Sequence, residues 1–147
     1  MDIEYVNFNS IPNSKVLDGI IMLHQRIFGN SDDLINRMES KPQLLINIAL
    51  AEDNVIGYKI GYALDADQYY SWLGGVDPNY RNYGVATHLM EQQQHFLRAK
   101  GYKSVQTKTN NKWRSMLILN IKEGFDVIDV RTDDKGEPKI LLEKKLF

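Results

Sequence analysis

The hydrophobic period changes twice between residues 69 and 109, and that change limits the architecture more than any other feature of the sequence. Tyr69 to Val76 reads as a strand interrupted by Gly74-Gly75, Gly84 to Lys100 as a helix ended by Gly101, and Tyr102 to Thr109 as a strand. A strand–helix–strand unit predicts a right-handed parallel crossover. The flanking segments favour antiparallel pairing. Leu44 to Leu50 is a nearly continuous apolar run, Asp53-Asn54 a turn, and Val55 to Leu64 the return strand, with Ile56, Tyr58, Ile60, Tyr62 and Leu64 on one face. Phe125 to Val130 and Lys139 to Leu146 form a second hairpin.

The remaining pieces fit the same plan. Ile3 and Tyr5 alternate with Asp2 and Glu4 as a short first strand. Asn13 or Ser14 caps a helix whose Val16, Leu17, Ile20, Ile21, Ile27 and Phe28 share one side. Ser31 precedes a shorter helix through Leu34, Ile35 and Met38, stopped by Pro42, and Trp113 to Glu123 is a helix ended by Gly124. The expected order is β-α-α-β-β-β-α-β-α-β-β, an α/β (α+β) fold with a mixed, mostly antiparallel sheet. At 147 residues, without repeat or linker, residues 1–147 are expected to form a single domain.

Composition excludes several classes of function. Eighteen basic residues face nineteen acidic ones, which argues against broad binding to nucleic acid. With no cysteine there is no disulfide, thiolate metal site or catalytic thiol, and His24, His88 and His95 are too scattered to suggest a metal. No apolar run reaches membrane-spanning length, and Met1-Asp2-Ile3-Glu4 is no signal peptide, so the expectation is a soluble cytoplasmic protein.

The most informative stretch is Val76-Asp77-Pro78-Asn79-Tyr80-Arg81-Asn82-Tyr83-Gly84-Val85-Ala86-Thr87, which joins the first crossover strand to its helix. A helix start presents N–H groups without intrahelical partners, and its dipole adds partial positive charge. Small residues at Gly84 and Ala86 leave that backbone open to a pyrophosphate, and Arg81 adds a cation nearby. A bulky side chain at Gly84 is expected to obstruct the ligand while leaving the fold largely intact. Taken alone, the six-residue pattern favours an ordinary strand-to-helix turn, because short glycine motifs are common by chance. Gly74-Gly75 shifts the balance, because glycines inside a strand mark close approach by backbone or ligand.

This succession resembles the GNAT superfamily of N-acetyltransferases. Val76-Asp77-Pro78 followed by Arg81-Asn82-Tyr83-Gly84-Val85-Ala86 is similar to its acetyl-coenzyme A motif, and Ile121-Lys122-Glu123-Gly124-Phe125 is similar to the helix end of its second conserved block. The resemblance spans roughly residues 43–130. It implies that the two parallel strands splay and take up the pantetheine arm, with main chain near Gly74, Gly75 and Val76 bonding its amides. It implies that nitrogens from Asn82 to Thr87 hold the pyrophosphate and that an N–H around Val76 polarises the thioester carbonyl. The reaction it implies is direct attack by an amine on acetyl-coenzyme A in a ternary complex, without a metal or a covalent enzyme intermediate. The acceptor is a small-molecule or peptide amine, and oligomeric state stays open, a homodimer included.

Two positions depart from the resemblance. A glutamate that is the general base in some relatives lines up with Tyr70, and a tyrosine that often protonates the departing thiolate lines up with Asn120. A phenol of ordinary pKa is a poor base near neutrality, and an amide is no acid. Asn120 shares an apolar stripe with Trp113, Met116 and Leu117 and is expected to point inward, toward the pantetheine or thioester. The alternative function is a non-catalytic acyl-coenzyme A sensor on the same fold. His88 near the phosphate helix, and Asp32, Asp33, Asp133 and Asp134 as attractors of a cationic amine, are weaker candidates with sufficient structural explanations. Tyr69, Tyr70 and Trp72 line either an acceptor pocket or the strand core.

Overall fold

Seven strands form one sheet in the order β1-β2-β3-β4-β5-β7-β6 in a computed structural model that describes residues 2–147. Met1, part of the amino-terminal tetrapeptide read above, lies outside the described residues. The strands are β1 (Glu4–Phe8), β2 (Leu45–Ala51), β3 (Asn54–Ala63), β4 (Gln68–Val76), β5 (Ser104–Thr109), β6 (Asp126–Thr132) and β7 (Pro138–Lys145). The helices are α1 (Ser14–Phe28), α2 (Leu34–Glu39), α3 (Val85–Ala99) and α4 (Arg114–Lys122), and their order along the chain is the one the sequence predicts. Two short 3-10 turns, Pro78–Tyr80 and Asn111–Trp113, precede α3 and α4. Every strand pair is antiparallel except β4 with β5, the pair bridged by α3.

Both faces of β2 are buried, so it reads as an apolar run rather than an alternation. On one face, α1 and α2 place Ile20, Leu23, Leu34 and Met38 against Ile46, Ile48, Tyr58 and Ile60. Each such side chain contributes roughly 1.5–3 kcal/mol by leaving water. Asn13 starts α1 by accepting the Val16 N–H at 3.2 Å, a cap worth about 1 kcal/mol. On the other face, Val85 and Leu89 of α3 meet Ala49, Ala51 and Ile56.

Ile56 corrects the expected single face of β3. The register with β2 shifts at Ala49/Leu50, leaving Ile56 unpaired, and this bulge turns it toward α3 while Tyr58 and Ile60 face α1 and α2. Leu64 falls beyond the strand and is exposed. A second irregularity, between Ile60 and Gly61, leaves Trp72 of β4 without a β3 partner. Gln93 and Gln94 on α3 are buried, and Gln94 Oε1 accepts from Lys144 Nζ at 2.8 Å.

Candidate active site

The two parallel strands separate where the site begins. Their pairing runs only from Gln68↔Ser104 to Ser71↔Thr107. The Thr107 hydroxyl donates to the Ser71 carbonyl at 3.0 Å and closes the apex. Beyond it β4 continues along β3 to Val76, while β5 continues along β7 to Thr109. Asp77 donates its N–H to the Ile56 carbonyl on the β3 side, at 2.7 Å. Successive strand N–H groups point to opposite edges, so the Val76 N–H faces the open edge.

Two cavities share this opening. The larger, about 540 Å³, is lined by Gly74, Gly75, Val76, Arg81, Asn82, Gly84, Val85, Ala86 and Thr87, and by Lys112, Trp113 and Arg114 across from them. Its lining carries three cationic side chains and no acidic one. The smaller, about 200 Å³, lies at the apex between Lys59, Ser71, Trp72, Thr107, Lys108 and Asn120. Phe28, Gly74, Trp113 and Met116 line both, so the two are continuous.

Main chain builds the floor of the larger cavity. Gly84 is the N-cap of α3 with φ 75°, and Asn82 is also left-handed at φ 74°. No side chain caps the helix, and its first turn carries no acid. His88 gives the first helical bond, N–H to the Gly84 carbonyl at 3.0 Å, whereas the N–H groups of residues 82–87 find no acceptor among the described residues. A run of free N–H groups at a helix start, in a cleft of positive side chains, is an anion cradle. Asp77 anchors it from behind, accepting the Asn79 N–H at 2.9 Å and pairing with Arg26 of α1 at 2.8 Å. Burial works to raise the Asp77 pKa, but these bonds outweigh it and hold the carboxyl below its usual range.

The glycines face different surroundings. A Cβ on Gly75 would stand 2.6 Å from Ile27 Cδ1, the end of a flexible side chain that would have to move aside. A Cβ on Gly84 would meet nothing within 4 Å, which leaves the cradle open. Its positive φ nevertheless makes any L side chain there costly, about 1–2 kcal/mol. Gly84→Val therefore strains the backbone as well as filling the cradle.

The other expected residues divide clearly. The Tyr83 ring is exposed near Tyr80, outside the cleft, so only its main chain is available to a ligand there. Asn120 is the buried residue of α4, 3% exposed, and lines the apex cavity. Tyr70 packs edge-on against Tyr62, and burial, with the neighbouring Tyr62 adding, pushes its hydroxyl up to about 12, so it stays protonated at neutral pH. Tyr69 is core, its hydroxyl donating to the Gln43 carbonyl at 2.8 Å, while Trp72 lines the apex cavity.

His88 stacks on Tyr5 with ring centroids 3.7 Å apart, and His95 is on the surface. Asp33 accepts from the Asn36 amide at 2.7 Å, and Asp133 from the N–H groups of Lys135 and Glu137, both at 2.9 Å; these are turn and helix-start roles. Sequence reasoning missed Lys59, Lys112 and Arg114. Lys59 stands opposite Gly74 in the β3–β4 register, and burial lowers its pKa to about 8. Among the described residues no cluster suits a metal ion, and no helix is long and apolar enough to cross a membrane.

Residues 21–114 match the sequence model of the acetyltransferase (GNAT) family, most of the chain. The chain belongs to the GNAT family. No curated protein matches it in sequence. Among solved structures, this GNAT chain is similar to Ard1 from Thermoplasma volcanium (TM-score 0.85, 14% identity, 99% of this chain and 98% of that one). It is also similar to a GNAT family acetyltransferase from Elizabethkingia anophelis with acetyl-CoA bound (0.78, 18%, 97% of each). A third is the aminoglycoside 6'-N-acetyltransferase from Enterococcus faecium (0.80, 15%, 100% and 98%). At these identities the likeness establishes the fold, and the GNAT fold of this chain is the mixed, mostly antiparallel sheet with one parallel crossover.

Proposed function

We propose that this chain transfers an acetyl group from acetyl-coenzyme A to an amine by direct attack in a ternary complex. The observation that carries this reading is the unpaired edge of β4 leading into free N–H groups of residues 82–87, within a cleft whose charged side chains are all cationic. Such a cleft suits a ligand with an amide-bearing arm and a polyanionic end. The open β4 edge at Gly74, Gly75 and Val76 would bind the arm as an added strand. Asn82, Tyr83, Gly84, Val85, Ala86 and Thr87 would hold the pyrophosphate through main chain, with Arg81, Lys112 and Arg114 supplying positive charge.

Bound acetyl-coenzyme A supplies an activated acyl carbon. The Val76 N–H, facing the gap, would stabilise negative charge developing on the carbonyl oxygen, a contribution of about 10²–10³ in rate for one well-placed donor. Asn120 would orient the ligand by hydrogen bonding at the apex. Tyr70, protonated near neutrality, would offer a hydrogen-bond donor and apolar surface rather than a base. The amine would lose its proton to water, and holding both reactants in one cleft would give most of the acceleration. We read residues 1–147 as one such domain, acting in the cytoplasm.

Calorimetry with acetyl-coenzyme A and with NAD tests the reading, followed by thiol release across an amine panel. Binding of acetyl-coenzyme A alone and thiol release with at least one amine are expected. No heat at saturating acetyl-coenzyme A would overturn it. Tight binding with no thiol released for any amine would favour the sensor.

A further inference from the structure

On the far side of the apex cavity three aromatic rings and three cations converge. The ring centroid of Tyr62 lies 5.4 Å from that of Tyr70 and 5.7 Å from that of Trp72, both edge-on. Tyr70 and Trp72 are two apart on β4, so strand alternation puts both rings on the face of Tyr62, which pairs with Tyr70. Arg37, in the last turn of α2, places its guanidinium carbon 5.0 Å from the Trp72 centroid. Lys41 Nζ sits 4.7 Å from Tyr62 and 4.8 Å from Trp72, and Lys108 Nζ 6.0 Å from Tyr70.

Ring faces orient these cations without cancelling their charge. None of the three forms an ion pair among the described residues. Asp32, Asp33 and Glu39, on the same segment, are exposed and unpaired with Arg37 or Lys41. Glu143 is held by the amides of Gln106, at 3.2 Å, and Gln68, at 3.4 Å. Trp72 is at once a wall of the apex cavity and the platform beneath Arg37 and Lys41. The place where an amine would meet the donor and the place where positive charge gathers therefore share one side chain.

We infer that the acceptor is a small amine carrying a carboxylate a few bonds from its nitrogen, held with the carboxylate against Arg37 and Lys41 over Trp72. This rests on the acetyl-transfer reading and names its substrate class. A guanidinium and an ammonium, each within 5.0 Å of the centre of one indole, suit a carboxylate. The same wall repels a polycationic acceptor, so on this point the chain parts from the aminoglycoside acetyltransferase whose fold it shares.

The test uses the intact protein saturated with coenzyme A, probed with N-acetyl amino acids and their matched C-terminal amides, which differ in charge alone. Titrations are followed by the Trp72 indole N–H resonance, with spermidine as the cationic control. At least one acid should shift that resonance and bind about tenfold or more tightly than its amide. Arg37→Gln with Lys41→Gln should abolish the preference while leaving coenzyme A affinity and melting temperature unchanged. Equal binding of acid and amide, preference for spermidine, binding of no acid, or an acid preference that survives the double variant would each overturn the inference. If the wild-type protein fails to bind coenzyme A, the acetyl-transfer reading itself falls, a result separable from all of these.

Discussion

The two ends of the cleft are built from different materials. At the α3 end the groups proposed to recognise the ligand are main-chain N–H groups of consecutive residues, 82–87, beside the small Gly84 and Ala86. At the far end they are side chains from α2, β3, β4 and β5, brought together by folding: Arg37, Tyr62, Trp72 and Lys108. A backbone site holds its anion through donors that helix geometry fixes, and selects the ligand only by what else must fit the cleft. A side-chain site changes its ligand with each substitution. A fold can therefore keep its donor while its acceptors diverge.

The largest effect should come from breaking the backbone end with charge. Ala86→Asp puts a carboxylate in the first turn of α3, where the helix dipole favours it by about 0.3–1 kcal/mol. The same carboxylate faces the cradle and would repel phosphate, so affinity for coenzyme A should fall on the order of 100-fold, about 2.7 kcal/mol. Calorimetry and thermal melting together check both halves. Unchanged affinity would place the anion site elsewhere.

Lys59, between the two ends, offers a test that needs no ligand. Its folded pKa of about 8 lies below the ordinary 10.5, because burial penalises the ammonium. The penalty is fully present below pH 8 and relieved as pH rises from 8 toward 10.5, where the unfolded chain holds the extra proton. Lys59→Met should therefore stabilise the protein by about 1–3 kcal/mol at pH 7, with the gain shrinking by pH 10. Denaturant unfolding at the two pH values measures it, and an equal gain at both would mean that charge burial is not the cause.

How much of this was legible follows the same division. The cradle was legible because Arg81, Gly84 and Ala86 lie close together in sequence and the chemistry is local. The element order was legible because hydrophobic period and glycine stops mark it. The side-chain end was not. Trp72 follows Tyr70 by plain alternation, but nothing sequential links that face to Arg37, Lys41 or Lys108. Ile56 escaped for a different reason: strict alternation cannot foresee the residue that a bulge turns over. Arg114 and Lys112 enter the cleft from the α4 side, contributing charge that no short motif records.

The smallest expected effect belongs to Asn120, whose inward position was legible from the α4 stripe. Asn120→Ala should weaken coenzyme A binding by the worth of one hydrogen bond, about 0.5–1.5 kcal/mol, and leave the shape of the pH–rate profile intact. Loss of the alkaline limb in that variant would give Asn120 a part in proton transfer instead of positioning.

In the proposed function, main chain from the open edge of β4 to the start of α3 holds the donor. Amide resonances recorded with and without acetyl-coenzyme A test this most directly, since each N–H reports its own bond. The N–H groups of Val76 and residues 82–87 should shift on binding and exchange more slowly with solvent, while NAD leaves them unmoved. Saturable binding that perturbs other amides and leaves these untouched would contradict it.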